Sequence, residues 1–198
     1  MSRPERRARL CGLLATLLVV TAPLIARSQA APTVQTAQGQ IVGQFREASG
    51  AVFLGIPFAR PPVGDLRWRP PQPAEAKGRI DATASGPACL QSSFGWNAAD
   101  AARSSEDCLY LDVATPDLNP KARRPVMVWI HGGANWAGSG AGTVSSGLSS
   151  RGVVVVSVQY RLGVFGFLSH PGLTAEGQGA SGNYALMDLV ARRFDEES

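Results

Sequence analysis

PVMVWIHGGANWAGSG, residues Pro125 to Gly140, decides the reading of this chain. An apolar run, Val126-Met127-Val128-Trp129-Ile130, stops abruptly at His131-Gly132-Gly133-Ala134. A short continuous apolar run bounded by turn formers reads as a strand buried on both faces. Glycines at the end of such a strand leave backbone N–H groups uncovered. Two adjacent uncovered N–H groups make a cradle for an anion, the form taken by half of an oxyanion hole.

Working outward, Val153–Val158 (VVVVSV) is a second buried-strand run, and Leu109 to Ala114 alternates weakly as a third. These strands are expected in a largely parallel sheet. Thr33 to Phe58 suits strands broken by turns, with Ser49-Gly50 turning the chain before Ala51-Val52-Phe53-Leu54. Pro57, Pro61, Pro62, Pro70, Pro71 and Pro73 forbid regular structure through Pro57–Ala74. Phe58, Leu66 and Trp68 mark that stretch as packed meander and not linker. Residues 75–107 read as loop. Gly182-Asn183 opens a helix, with Tyr184, Leu186, Met187 and Val190 spaced for one buried face. The order of elements is α/β with a β-rich N-terminal lobe.

Residues 1–30 read as a secretory signal. Arg3, Arg6, Arg7 and Arg9 precede an apolar stretch from Leu10 to Ile25, and Ser28-Gln29-Ala30 offers a cleavage site before Ala31. The competing reading, a membrane anchor, is opposed by the short apolar stretch and by Pro23 within it. A secreted or periplasmic location follows. Of 19 Lys+Arg and 15 Asp+Glu in 198 residues, the first thirty hold five Arg and one Glu, so residues 31–198 carry 14 of each sign. The basic balance belongs to the signal and offers nothing to nucleic acid. Cys89 and Cys108 remain after cleavage, most simply as a disulfide in an oxidising compartment. Closing that loop is worth about 3 kcal/mol in the chain-entropy model. With only His131 and His170, and no Cys-x-x-Cys or His-Glu-x-x-His, no metal site is expected.

Several segments together resemble one family. Phe53–Pro73 (FLGIPFARPPVGDLRWRPPQP), Ser105–Val113 (SEDCLYLDV), Pro125–Gly140 and Val153–Leu168 (VVVVSVQYRLGVFGFL) resemble the N-terminal part of type B carboxylesterases, the cholinesterase-like branch of the α/β-hydrolases. Gly182–Asp188 (GNYALMD) continues the resemblance, which spans Thr33 to Ala191. It implies an incomplete α/β-hydrolase fold: an N-terminal β-lobe plus the first strands of the central sheet. It also implies a domain over residues 31–198 that stops before the nucleophile elbow, and ester hydrolysis through a serine acyl-enzyme without cofactor. The substrate would be a small-molecule ester, with neither nucleic acid nor membrane as partner once the signal is gone.

By position, the resemblance makes Gly133 and Ala134 the two oxyanion donors, with Gly132 allowing the turn. Asn135 stands where the family often has an aromatic residue. Cys89 and Cys108 match a family disulfide, while Arg67 with Glu106 and Arg161 with Asp188 resemble structural ion pairs. His131 matches a structural position, not the triad histidine, and His170 reads as a loop residue. Two other glycine patterns lack their context. Gly177 to Gly182 has dinucleotide spacing, yet the nearest expected strand ends near Tyr160. Gly133 to Gly138 has phosphate-loop spacing but is followed by Ser139-Gly140 in place of a lysine and a hydroxyl residue.

A serine esterase needs Gly-x-Ser-x-Gly, then an acid, then a histidine. No serine of this chain stands in that frame; Ser181 comes nearest, with Asn183 in place of the second glycine. The resemblance places the elbow beyond Asp188 and fades from Arg192. These 198 residues are therefore expected to be inactive by themselves, and the strand Val126–Ile130 is expected to form an open, aggregation-prone edge. The competing readings are a non-catalytic cholinesterase-like binding protein and a gene remnant.

Overall fold

The computed structural model describes residues 30–46, 50–177 and 179–191. The signal read over residues 1–30, but for Ala30, lies outside the described residues. So do Ser49 of the expected turn and the tail from Arg192.

Two sheets form. The smaller has the order β1-β2-β5, from β1 (Thr33–Thr36), β2 (Gly39–Val42) and β5 (Gly78–Asp81). β1 and β2 make an antiparallel hairpin, and β5 joins β2 in parallel. The larger sheet has the order β3-β4-β6-β8-β7, from β3 (Gln44–Phe45), β4 (Ala51–Pro57), β6 (Tyr110–Thr115), β7 (Val126–Ile130) and β8 (Val154–Val158). Its pairs are antiparallel except β7 with β8, which runs parallel with Trp129 opposite Ser157 and Ile130 opposite Val158. The expectation of a largely parallel sheet is thus corrected to a mixed one. Parallel neighbours need a crossover long enough to return the chain, and residues 131–153 supply it between β7 and β8.

β8 is buried as its composition demands. β7 is not: it is the edge strand, and its five residues range from 42% exposed at Val128 to 58% at Val126. The apolar run is a strand, and it forms the open edge expected of it within these residues. Nothing described packs across its outer edge.

The core lies in separate patches. Ile41, Ala51, Phe53, Ile80 and Ala82 join the two sheets, and Cys89, Cys108, Leu109, Tyr160, Leu162 and Ala185 form a second patch beneath the loops. Burying a side chain such as Leu109 or Leu162 is worth about 1.5–3 kcal/mol. β4 and β6 slip register between Phe53 and Ile56. At that bulge Gly55 has φ +70°, and a Cβ there would stand 2.4 Å from the Ala84 carbonyl oxygen. The Gly55 N–H donates to Asp112 Oδ1 at 2.8 Å, and the Ser85 hydroxyl donates to Asp112 Oδ2 at 2.6 Å. Buried Asp112 thereby holds the bulge closed.

The stretch 75–107, expected as loop throughout, contains β5 and a short helix α1 (Ala98–Ala102). Beyond β8 come α2 (Gly163–Phe167), α3 (Pro171–Glu176) and α4 (Tyr184–Val190). α4 buries Tyr184, Ala185 and Asp188, whereas Leu186 and Val190 face out. Its inner face is set by a charged residue that hydrophobic periodicity cannot see.

Candidate functional site

The β7–β8 pairing delivers the chain to His131 with little freedom. The His131 ring, 5% exposed, stacks on Tyr160 with centroids 4.5 Å apart, and the Tyr160 hydroxyl donates to the His131 carbonyl at 2.7 Å. His131 Nδ1 lies 3.0 Å from the Gly132 oxygen, while Nε2 is buried without a hydrogen-bond partner among the described residues. Burial pushes the imidazole below its ordinary pKa. The ring is a neutral wedge under the following turn.

That turn is strained in a defined way. Gly133 has φ +123°, and a Cβ there would stand 1.7 Å from the Ala137 carbonyl oxygen, so only glycine fits. Ala134 and Asn135 follow at φ +52° and +65°, in the left-handed region that costs a non-glycine residue about 1–3 kcal/mol. Three hydrogen bonds hold them there. The Gly133 oxygen accepts from the N–H groups of Trp136 at 3.0 Å and Ala137 at 3.2 Å, and the Asn135 oxygen accepts from the N–H of Gly163, the first residue of α2, at 2.7 Å. Among the described residues, the N–H groups of Gly133 and Ala134 meet no acceptor, and Ala134 is exposed. Successive unpaired N–H groups in such a turn form an anion-binding concavity.

The charged residues singled out in the sequence meet as pairs. Arg161, 3% exposed, gives its backbone N–H at 3.0 Å and Nε at 2.9 Å to Asp188 Oδ2, and Nη2 at 2.7 Å to Oδ1. Burial pushes the Asp188 carboxyl up and Arg161 pulls it back. Arg67 and Glu106 pair through two hydrogen bonds, one of 2.7 Å, nearer the surface. The Arg67 guanidinium also lies over the rings of Trp68 and Phe165. The Cα atoms of Cys89 and Cys108 are 4.9 Å apart with the sulfurs at bonding distance.

Ser181 is not poised as a nucleophile. Its Oγ lies 2.7 Å from Thr174 Oγ1 and reaches only the backbone of His170, whose Nδ1 accepts from Gly172 N–H as the N-cap of α3. Among the described residues, no group of three or more His, Cys, Asp or Glu could hold a metal ion. Sequence reasoning passed over Gln91, which reaches Gly138 of the turn from the loop after Cys89, and Asn97, which donates to Gln91. Only their polarity beside a cysteine and an apolar stretch could have flagged them.

The family model described as the carboxylesterase family matches residues 30–192. The chain is 48% identical over 149 residues to the fumonisin B1 esterase of Sphingopyxis macrogoltabida, covering 73% of this chain and 28% of that protein. With liver carboxylesterase 1 of Oryctolagus cuniculus it shares 41% over an alignment of 201 residues, 92% of this chain and 34% of that one. A carboxylesterase of Geobacillus stearothermophilus superposes with TM-score 0.68 at 39% identity, over 80% of this chain and 33% of the other. The EstA structure from Aspergillus niger gives TM-score 0.69 at 31% identity, over 82% and 31%. The chain spans about a third of the length of the relatives it matches.

Proposed function

The chain belongs to the carboxylesterase family, and from that premise we propose that it contributes the N-terminal portion of a serine ester hydrolase, with Gly133 and Ala134 as two oxyanion donors. The observation carrying this reading is the turn itself. It spends backbone strain at Ala134 and admits only glycine at residue 133, and its outcome is a pair of N–H groups with no partner. Each such donor is worth about 3 kcal/mol when a tetrahedral oxyanion forms. The nucleophile, acid and histidine of an acyl-enzyme mechanism are not in these residues: no Gly-x-Ser-x-Gly occurs in the sequence, and Ser181 Oγ makes no hydrogen bond to an imidazole among the described residues. Residues 1–198 alone accordingly do not turn over esters. The substrate class is a small-molecule carboxylic ester, with no cofactor. Residues 1–30 direct the chain out of the cytoplasm, where Cys89 and Cys108 form a disulfide.

The test is a graft. Residues 30–191 replace the matching segment of the fumonisin B1 esterase, and ester hydrolysis is measured with and without Gly133→Ala. The expected result is turnover by the graft and a kcat about 100-fold lower in the variant, because the added Cβ would displace the turn and misaim the residue 133 N–H, a loss of the size typical of one oxyanion donor. An unchanged kcat would overturn the assignment of the turn. Hydrolysis of p-nitrophenyl acetate by the ungrafted chain, abolished by Ser181→Ala, would overturn the claim of inactivity.

A further inference from the structure

The strained turn is held from a second side by a loop that the proposed chemistry does not use. Two residues past Cys89, the Gln91 amide lies against Gly138, at the far end of the turn. Gln91 Oε1 accepts from Gly138 N–H at 2.8 Å, and Gln91 Nε2 donates to the Gly138 oxygen at 2.8 Å. The same Nε2 donates to the Cys89 oxygen at 3.0 Å, and Oε1 also accepts from Asn97 Nδ2 at 2.8 Å. All four hydrogen-bonding positions of a primary amide are thus occupied, which fixes which end is oxygen and which is nitrogen.

Asn97 is itself pinned. It is 2% exposed, donates to the Ser92 oxygen at 2.9 Å and accepts from Phe94 N–H at 2.6 Å. Gly138 has no slack on its other side: at φ +121°, a Cβ on it would lie 2.3 Å from the Gly132 oxygen and 2.6 Å from His131 Nδ1. A displacement of Gly138 is therefore transmitted to Gly132 and the His131 wedge, the residues from which the Gly133 and Ala134 N–H groups project.

From this arrangement we infer that Gln91, oriented by Asn97, is a positioning residue for the oxyanion turn. The loop leaving Cys89 fixes the direction of the Gly133 and Ala134 donors before any substrate arrives. The inference rests on the oxyanion reading for its meaning, but its geometry is tested without an ester. Fully satisfied buried amide networks rigidify what they touch, and a half-satisfied one loosens it.

The experiment is residue-level amide hydrogen exchange on the full chain, wild type against Gln91→Met, which keeps the length and removes all four bonds. Exchange of the hydrogen-bonded Trp136 and Ala137 amides is expected to rise about tenfold while the β6 and β8 amides keep their protection. Gln91→Glu retains an oxygen for Gly138 N–H and Asn97, and is expected to recover part of that protection. Unchanged exchange at Trp136 and Ala137 in Gln91→Met would overturn the inference, as would a Glu variant no better than Met. Should Gln91→Met loosen the whole sheet, Asn97→Ala decides. With Gln91 in place but unoriented, a rise of about threefold or more at Trp136 and Ala137 without one in β6 and β8 supports positioning, and an equal rise everywhere refutes it. Loss of the clamp appears in exchange, whereas failure of the oxyanion assignment appears only in the grafted enzyme.

Discussion

Asp188→Asn is the most informative single change to the stability of this chain. Asp188 is fully buried and Arg161 nearly so, and the carboxylate collects three hydrogen bonds from Arg161. Replacing it by a neutral amide leaves a guanidinium in the interior whose other bond is a 3.4 Å contact to the Tyr184 oxygen. Breaking one side of a buried pair costs about 3–5 kcal/mol, because the remaining charge is uncompensated. A small domain has about 5–15 kcal/mol in total, so the variant is expected to lose α4 and much of the loop packing at 25 °C. Equilibrium urea unfolding followed by tryptophan fluorescence measures this. The double variant Arg161→Met/Asp188→Leu gives the opposite expectation. Among the described residues Arg161 Nη1 is buried without a partner, so the pair does not recover its full desolvation cost, and an apolar replacement should unfold within about 1 kcal/mol of wild type. Glu106→Gln is the surface contrast: with Arg67 38% exposed, the loss should stay under about 1 kcal/mol. An Asp188→Asn cost below about 1 kcal/mol, or a double variant as damaged as the single, would refute the reasoning.

Three further outcomes are expected. Val128→Lys, on the exposed β7 edge, should shift the chain toward monomer in sedimentation velocity by breaking edge-to-edge pairing; a wild type already monodisperse and cooperatively folded would sink that account. Burial holds folded His131 below its unfolded value of 6.5, so its contribution is intact above that pH and declines as pH falls toward the folded value. His131→Phe should flatten the acid-side slope of the urea midpoint. Burial raises Asp112 above its unfolded value of 3.8, so its contribution is full below that value and lost as pH rises through the folded one. Asp112→Asn, still able to accept from Gly55 and donate to Ser85, should be more stable than wild type at pH 7 and indistinguishable near pH 3.

Strand positions and the family were readable because they depend on local pattern: the apolar runs at Val126–Ile130 and Val153–Val158 are strands wherever they pack. Their direction was not: whether β6 and β8 run antiparallel depends on connections that carry no periodic signal. The open edge at β7 was expected from the resemblance and not from the apolar run, which by itself reads as a buried strand. The buried face of α4 was misjudged at Leu186 and Val190 because the anchor is Asp188, whose burial follows from a partner 27 positions away. Gln91 and Asn97 escaped notice for the same reason. A polar side chain in a loop is ordinarily solvated, and only the fold shows that these two fill each other's hydrogen-bonding positions.

What makes the turn useful is that its geometry is set before any reaction. The two donors stand on a strand end wedged by His131 against Tyr160. They are closed by the Gly133 carbonyl, tied to α2 through Asn135 and Gly163, and clamped at Gly138 by Gln91. Every one of these contacts lies within the residues described. No nucleophile is needed to form them. Electrostatic stabilisation of a transition state is strong when donors need no reorganisation as charge develops. On the proposed reading, the strain at Ala134 is met by the turn's own packing, so that the Gly133 and Ala134 N–H groups are held in place before a substrate arrives.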